Sequence, residues 1–151
     1  MWAQYSLGDL YRDGNGVEQS FTEAARLYKM AADQGHRCAQ WSLGHLYRDG
    51  KGVEQSFTEA ARLYKMAADQ GSMCAIWSLG DLYRDGKGVE QSFMEAARLY
   101  KMAADQGFEC AQDSLGDLYR DGNGVEQSFT EAARLYKMAG FECAQDSLGD
   151  L

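Results

Sequence analysis

Four near-identical stretches open at Ser6, Ser42, Ser78 and Ser114, the second reading SLGHLYRDGKGVEQSFTEAARLYKMAADQG, and they set a period of 36 residues. A fixed period of this length marks a stacked array, in which no single unit can cover its own apolar side and neighbouring copies supply the core. The units run 3–38, 39–74, 75–110 and 111–143, with a partial unit at 144–151, in one repeat domain. The fourth copy reads KMAGFEC where the third reads KMAADQGFEC, a loss of three residues close to one helical turn. This shortening bears on how the last helix stacks.

Each unit resolves into two helices. In the second copy Ala39, Leu43, Leu46 and Tyr47 fall on one face at helical period, which predicts a helix from about Arg37 to Asp49, stopped by Gly50. Ser-x-x-Glu at Ser56 and Glu59 predicts a capping box, hydroxyl and carboxylate each meeting an orphan backbone N–H, and it recurs at Ser20/Glu23, Ser92/Glu95 and Ser128/Glu131. Ala60, Leu63, Tyr64 and Ala67 form the buried stripe of that second helix, and Gly71 is its left-handed stop. Antiparallel helix pairs copied in tandem define an all-α fold, an α-solenoid. A glycine inside a helix costs about 1 kcal/mol against alanine. Its return in every unit, as at Gly44, implies that a neighbouring backbone or ring occupies the space of the missing side chain.

The corner Asp13-Gly14-Asn15-Gly16 imitates two ligand loops. With Gly16 taken as the sixth residue of a calcium loop, Tyr11 stands at the first position and Thr22 at the twelfth, so ligands are missing and Glu23 comes one place late. No lysine and Ser/Thr pair follows to make a phosphate loop. The corner reads as a turn: Gly14 ends one helix, Gly16 permits the return, Val17 anchors the loop and Ser20 opens the next helix.

Composition narrows the function classes. A net charge of −8 arises from a small acidic surplus multiplied by copying, and no basic face emerges to hold nucleic acid. No apolar run approaches the ~18 residues that span a membrane. The start MWAQYSLGDL lacks the basic and apolar regions of a signal peptide, which points to the cytoplasm. Cys38, Cys74, Cys110 and Cys143 recur once per unit. Equivalent positions lie two helix layers apart, roughly 16–20 Å, beyond the ~7 Å that a disulfide bridges, so four free thiols are expected. Cysteines and histidines never take a metal-ligand spacing, and His36 and His45 read as surface residues. The repeated serines are used as caps, and identical copies do not build a unique catalytic centre. No enzymatic activity, cofactor or metal is expected.

The residues Ala39, Leu43, Gly44, Tyr47, Gly50, Gly52, Val53, Ala60, Tyr64, Ala67, Ala68 and Gly71 match the pattern of the Sel1-like repeat, a relative of the tetratricopeptide repeat, and the resemblance extends over nearly the whole chain. It implies a right-handed superhelix of helix pairs acting as an adaptor that grips protein partners on its concave side. The family often carries proline after Gly-Val, whereas this chain has Val53-Glu54-Gln55-Ser56 and no proline. A cysteine-rich branch of the family has two cysteines per repeat and includes members associated with β-lactam binding or hydrolysis. This chain has one per repeat, and a β-lactam hydrolase is the remote alternative.

Positions that differ between copies carry what the fold does not dictate. They concentrate on the first helix of each unit, and the partner-binding set read from them is Tyr5, Gln40, Trp41, His45, Ile76, Trp77, Asp81, Asp113 and Asp117. Aromatic side chains among them would anchor a peptide or protein. The competing reading is that the tryptophans fill gaps between layers. A structural alternative to an adaptor is a self-associating solenoid whose uncapped ends stack on other copies.

Overall fold

The computed structural model describes residues 1–149, with side chains through 140. Among the described residues there are eight helices and no strand: α1 (Trp2–Asp13), α2 (Phe21–Asp33), α3 (Arg37–Asp49), α4 (Phe57–Asp69), α5 (Met73–Asp85), α6 (Phe93–Asp105), α7 (Glu109–Asp121) and α8 (Phe129–Gly149). No helix among the described residues is long and apolar enough to cross a membrane. The chain forms two compact units: Met1–Ala75 with Lys87–Val89, and Ile76–Gly86 with Glu90–Leu151.

In the first unit the predicted helix over Arg37–Asp49 is present with those bounds, and Gly50 ends it in the left-handed region at φ 67°, returning its N–H to the Leu46 carbonyl. The corner is tied from both sides. The Gln55 side-chain amide donates to the Arg48 carbonyl at 2.8 Å, and the Ser56 N–H donates to the Tyr47 carbonyl at 2.9 Å. At Gly52 a Cβ would run into the backbone of Phe21, so the second corner can sit against α2 only as glycine. The Asp13 carboxylate of the first corner is engaged by Arg12 at 2.9 and 3.0 Å, which accounts for it as part of a turn.

The capping box forms by half. Ser56 Oγ accepts from the Glu59 N–H at 3.1 Å, and Ser20, Ser92 and Ser128 do the same for their own glutamates. The Glu59 carboxylate turns away to Arg62 instead of reaching back, because the Ser56 N–H it would have met is already taken by Tyr47. The core of this unit gathers Ala24, Tyr28, Ala31, Ala39, Leu43, Leu46 and Leu63, with Tyr5, Phe21, Tyr47 and Val53 against it. Tyr64 is fully buried, and its ring lies where the Cβ of residue 44 would stand: that Cβ would approach Tyr64 Cε1 to 2.6 Å. The recurring mid-helix glycine is therefore a seat for an aromatic ring.

The second unit repeats the scheme. Ala96, Leu99, Tyr100, Ala103, Leu115, Leu118, Ala132 and Leu135 are buried, and Gly80 and Gly116 seat Tyr100 and Tyr136. The three-residue loss in the fourth copy leaves one long element, α8, broken only at Gly140 with φ 74° and ψ −170°. Cys38, Cys74 and Cys110 form no disulfide among the described residues, while Cys143 and the partial unit 144–151 lie outside the residues with described side chains.

Candidate functional site

In the first unit α3 presents Trp41 and His45 one turn apart, with ring centroids 4.2 Å from each other. They wall a cleft of about 180 Å³ whose rim carries Arg12, Phe21, Asp49 and Lys51. Lys51 reaches over the Phe21 ring at 5.4 Å, and Asp49 is held by Arg48 at 2.9 Å, which lowers its carboxyl below the ordinary range. The cleft thus combines aromatic surface with charges of both signs, the chemistry of a surface that receives a side chain and fixes its direction.

His45 differs from its counterparts. In three repeats the residue at this place is aspartate, and its carboxylate accepts the hydroxyl of a tyrosine 19 residues on, buried at Tyr28 and Tyr100 and half-buried at Tyr136: Tyr28 to Asp9 at 2.5 Å, Tyr136 to Asp117 at 2.5 Å, and Tyr100 to Asp81. Burial and the adjacent carboxylate push those tyrosines above their ordinary pKa. In the second repeat Tyr64 meets His45 Nδ1. Burial, with Arg48 beside it, lowers His45 to about 4, so the ring is neutral at neutral pH and shares a hydrogen bond with the Tyr64 hydroxyl through Nδ1.

The other predicted site residues divide sharply. Gln40 and Ile76 are buried, which corrects the expectation that differing positions lie on the surface. The Gln40 amide is consumed inside, donating to the Ala32 carbonyl at 3.2 Å and accepting from Gln70 at 2.8 Å. Tyr5 is half-buried and stacks on His36 at 4.7 Å. His36 is itself buried, and His45 half-buried, so neither is the surface residue that the sequence suggested. In the second unit Trp77 is half-buried, donates its indole N–H to Ser114 at 3.0 Å and meets Phe108 edge-on. Asp81 and Asp117 bind tyrosines and pair with Arg84 and Arg120 at 3.5 and 3.4 Å, which makes them part of the framework. Asp113 stands at the tryptophan position of its repeat, its carboxyl raised by burial and by Asp117. Within the first unit, then, the structure brings Trp41 and His45 to one cleft. The aspartate–tyrosine pairs were missed by sequence reasoning, although a tyrosine 19 residues after each aspartate of one register position was the available signal.

The Sel1 repeat family matches residues 3–36, 39–72, 75–108 and 111–140. No curated protein matches the chain in sequence. Among solved structures, the chain is similar to c5321, a protective antigen of uropathogenic Escherichia coli strains displaying an SLR fold. The TM-score is 0.89 and the identity 36%, over 92% of this chain and 30% of that one. It is also similar to a Sel1 repeat protein from Oxalobacter formigenes, with a TM-score of 0.88 and 33% identity over 93% of this chain and 57% of the other. Cysteine-rich protein B of Helicobacter pylori, at 22% identity and a TM-score of 0.64 over 91% of this chain and 99% of that one, shares the fold. The chain thus spans less than two thirds of the first two proteins.

Proposed function

The chain belongs to the Sel1 repeat family, whose members typically serve as protein-interaction scaffolds and are generally non-catalytic, and from that premise we propose that it is an adaptor that grips a peptide or protein segment on its first helices. The observation that carries this is the cleft of about 180 Å³ beside Trp41 and His45, in which aromatic walls meet the charged rim of Arg12, Asp49 and Lys51. An apolar side chain of the partner enters the cleft, and its neighbouring backbone or charges meet the rim. In the first unit the half-buried Tyr5 belongs to the same proposal, with Gln40 buried behind that face, and in the second unit, taken by itself, Trp77 and Asp113 are proposed as partner contacts over the buried Ile76. Peptides selected from a displayed library on the intact chain are expected to bind Trp41→Ala at least about tenfold more weakly, the scale of an anchoring aromatic, while the melting temperature holds. Equal binding to both chains, with melting lowered in the variant, would assign Trp41 to packing.

A second reading, self-association, has an observation of its own. Leu7 and Leu10 on α1 are 38% and 42% exposed, whereas their counterparts Leu43 and Leu46, beside α2, are each 4% exposed. No atom stands within 4 Å of the place a Cβ would take at Gly16, while Gly52 closes on Phe21; Phe129, the equivalent of Phe21 in the fourth repeat, is 68% exposed. The α2 sequence that accompanies Leu43 and Leu46 is nearly repeated at the start of α8, so a second copy offers α1 a matching helix. Such head-to-tail contact is heterologous and lengthens with concentration. Sedimentation velocity over a hundredfold concentration range is expected to show growth that Leu7→Glu with Leu10→Glu abolishes; a constant monomer would remove this reading.

A further inference from the structure

The turn from α2 into α3 holds a pocket whose His36 and Arg37 occur in one repeat alone. His36-Arg37 is replaced by Ser72-Met73 and Phe108-Glu109 in the next two copies. A cavity of about 340 Å³ opens there, lined by Trp2, His36, Arg37, Cys38 and Gln70 among others, a volume at the lower end of the range for small-molecule sites.

His36 is 4% exposed. It caps α3, its Nδ1 accepting from the Ala39 N–H at 3.1 Å. Burial, with the N-terminal ammonium nearby, lowers its pKa, so the ring is neutral at neutral pH. A neutral imidazole that accepts at Nδ1 carries its proton on Nε2. That Nε2 is buried and has no hydrogen-bond partner. A buried donor left unmet is destabilising, and the ring is clamped in place by Tyr5 stacked at 4.7 Å and Trp2 edge-on at 4.4 Å.

Arg37 supplies the second half. Among the described residues the other arginines each pair with a carboxylate, as Arg48 does with Asp49 and Arg62 with Glu59. Arg37 instead donates to the Gln70 carbonyl at 3.2 Å, which orients the guanidinium and leaves its charge uncompensated on a chain of net charge −8. One guanidinium and one neutral N–H, with the N-terminal ammonium nearby, make a site of donors and positive charge. That suits an anion, and the planar fork of arginine suits a carboxylate.

We propose that this pocket binds a carboxylate borne on an apolar body, its oxygens taking the His36 Nε2–H and the Arg37 guanidinium while the body lies against Trp2. The carboxylate could belong to a free acid or to an acidic side chain of a docked protein. Phenylacetate represents the first and a blocked peptide with one glutamate between phenylalanines the second.

The third repeat provides the control, because Ser72 caps its helix by accepting from the Ala75 N–H at 3.3 Å. His36→Ser with Arg37→Met thus keeps a cap and removes both donors. Titration of the full chain, followed by nuclear magnetic resonance, is expected to give phenylacetate at least about tenfold tighter binding than neutral phenylacetamide. The difference should vanish in the double variant at unchanged melting temperature. Phenylacetate should also slow iodoacetamide alkylation of Cys38 and leave Cys110 unaffected. Binding of the peptide without phenylacetate would support the site with a protein acid as its source. Equal affinity for the acid and its amide, or an acid preference that persists in the variant, overturns the proposal.

Discussion

Truncating Tyr64 to alanine is expected to lower the unfolding free energy by about 3–5 kcal/mol, the range for removing a large ring from a core. Tyr64 is fully buried, and its hydroxyl joins His45. The same contact can be attacked from the opposite side. Gly44→Ala places a methyl 2.6 Å from the ring. Overpacking of this kind costs about 1–3 kcal/mol, and better helix propensity returns about 1 kcal/mol. In the Tyr64→Ala background the ring is gone, so Gly44→Ala should change sign and stabilise. Urea unfolding of the four chains forms a double-mutant cycle, and a coupling of about 2 kcal/mol is expected. Additive effects would mean that the glycine is present for some reason other than the ring.

That cycle tests the part of the fold most legible in the sequence. Gly44 announced a close approach because a helix bears its cost only for packing, and Gly50 and Ser56 announced the helix ends because each meets a local backbone need. Such signals involve neighbours within one turn or one corner. The role of Glu59 was misread for the same reason: the motif names two local partners, but the Tyr47 carbonyl, from the preceding helix, takes one of them first.

The candidate site was less legible, since variation between copies was equated with exposure. Gln40 shows why the two separate: an amide can be buried at little cost when its donor finds the Ala32 carbonyl and its oxygen finds Gln70. Isoleucine at the equivalent position 76 is also buried, so the position varies while its burial is retained. Trp41 and His45 were placed on one side of α3 by their spacing of four, and spacing of that kind survives into the cleft because it depends only on the helix. What spacing could not reveal is that His45 faces a tyrosine from the next helix, for that contact depends on how two helices meet.

The exchange of aspartate for histidine at position 45 makes stability depend on pH in a way the other repeats do not. His45 titrates at 6.5 when unperturbed and at about 4 in the fold, lowered first by burial and then by Arg48 and Arg12, with Asp49 opposing. Between these values the unfolded chain binds more protons than the folded one, so stability falls as the pH drops from 6.5 towards 4 and is fully present above 6.5. Each pKa unit corresponds to about 1.4 kcal/mol, and with allowance for the partial exposure of the ring the expected loss is about 2 kcal/mol. His45→Asp restores the pair seen between Asp9 and Tyr28, removes this titration and should flatten the profile over that window. In the upper part of the window the residual slope then belongs to His36, also lowered by burial, and His36→Ser should reduce it further, while Asp113, raised by burial and by Asp117, acts in the opposite direction at the acid end. Carboxylates lowered by arginine partners, such as Glu59 beside Arg62, titrate below the ordinary carboxylate range and so largely outside the upper part of the window. Urea midpoints at several pH values between 7 and 4 decide the matter: parallel profiles for the intact chain and His45→Asp would show that the imidazole is hydrated and carries no such linkage.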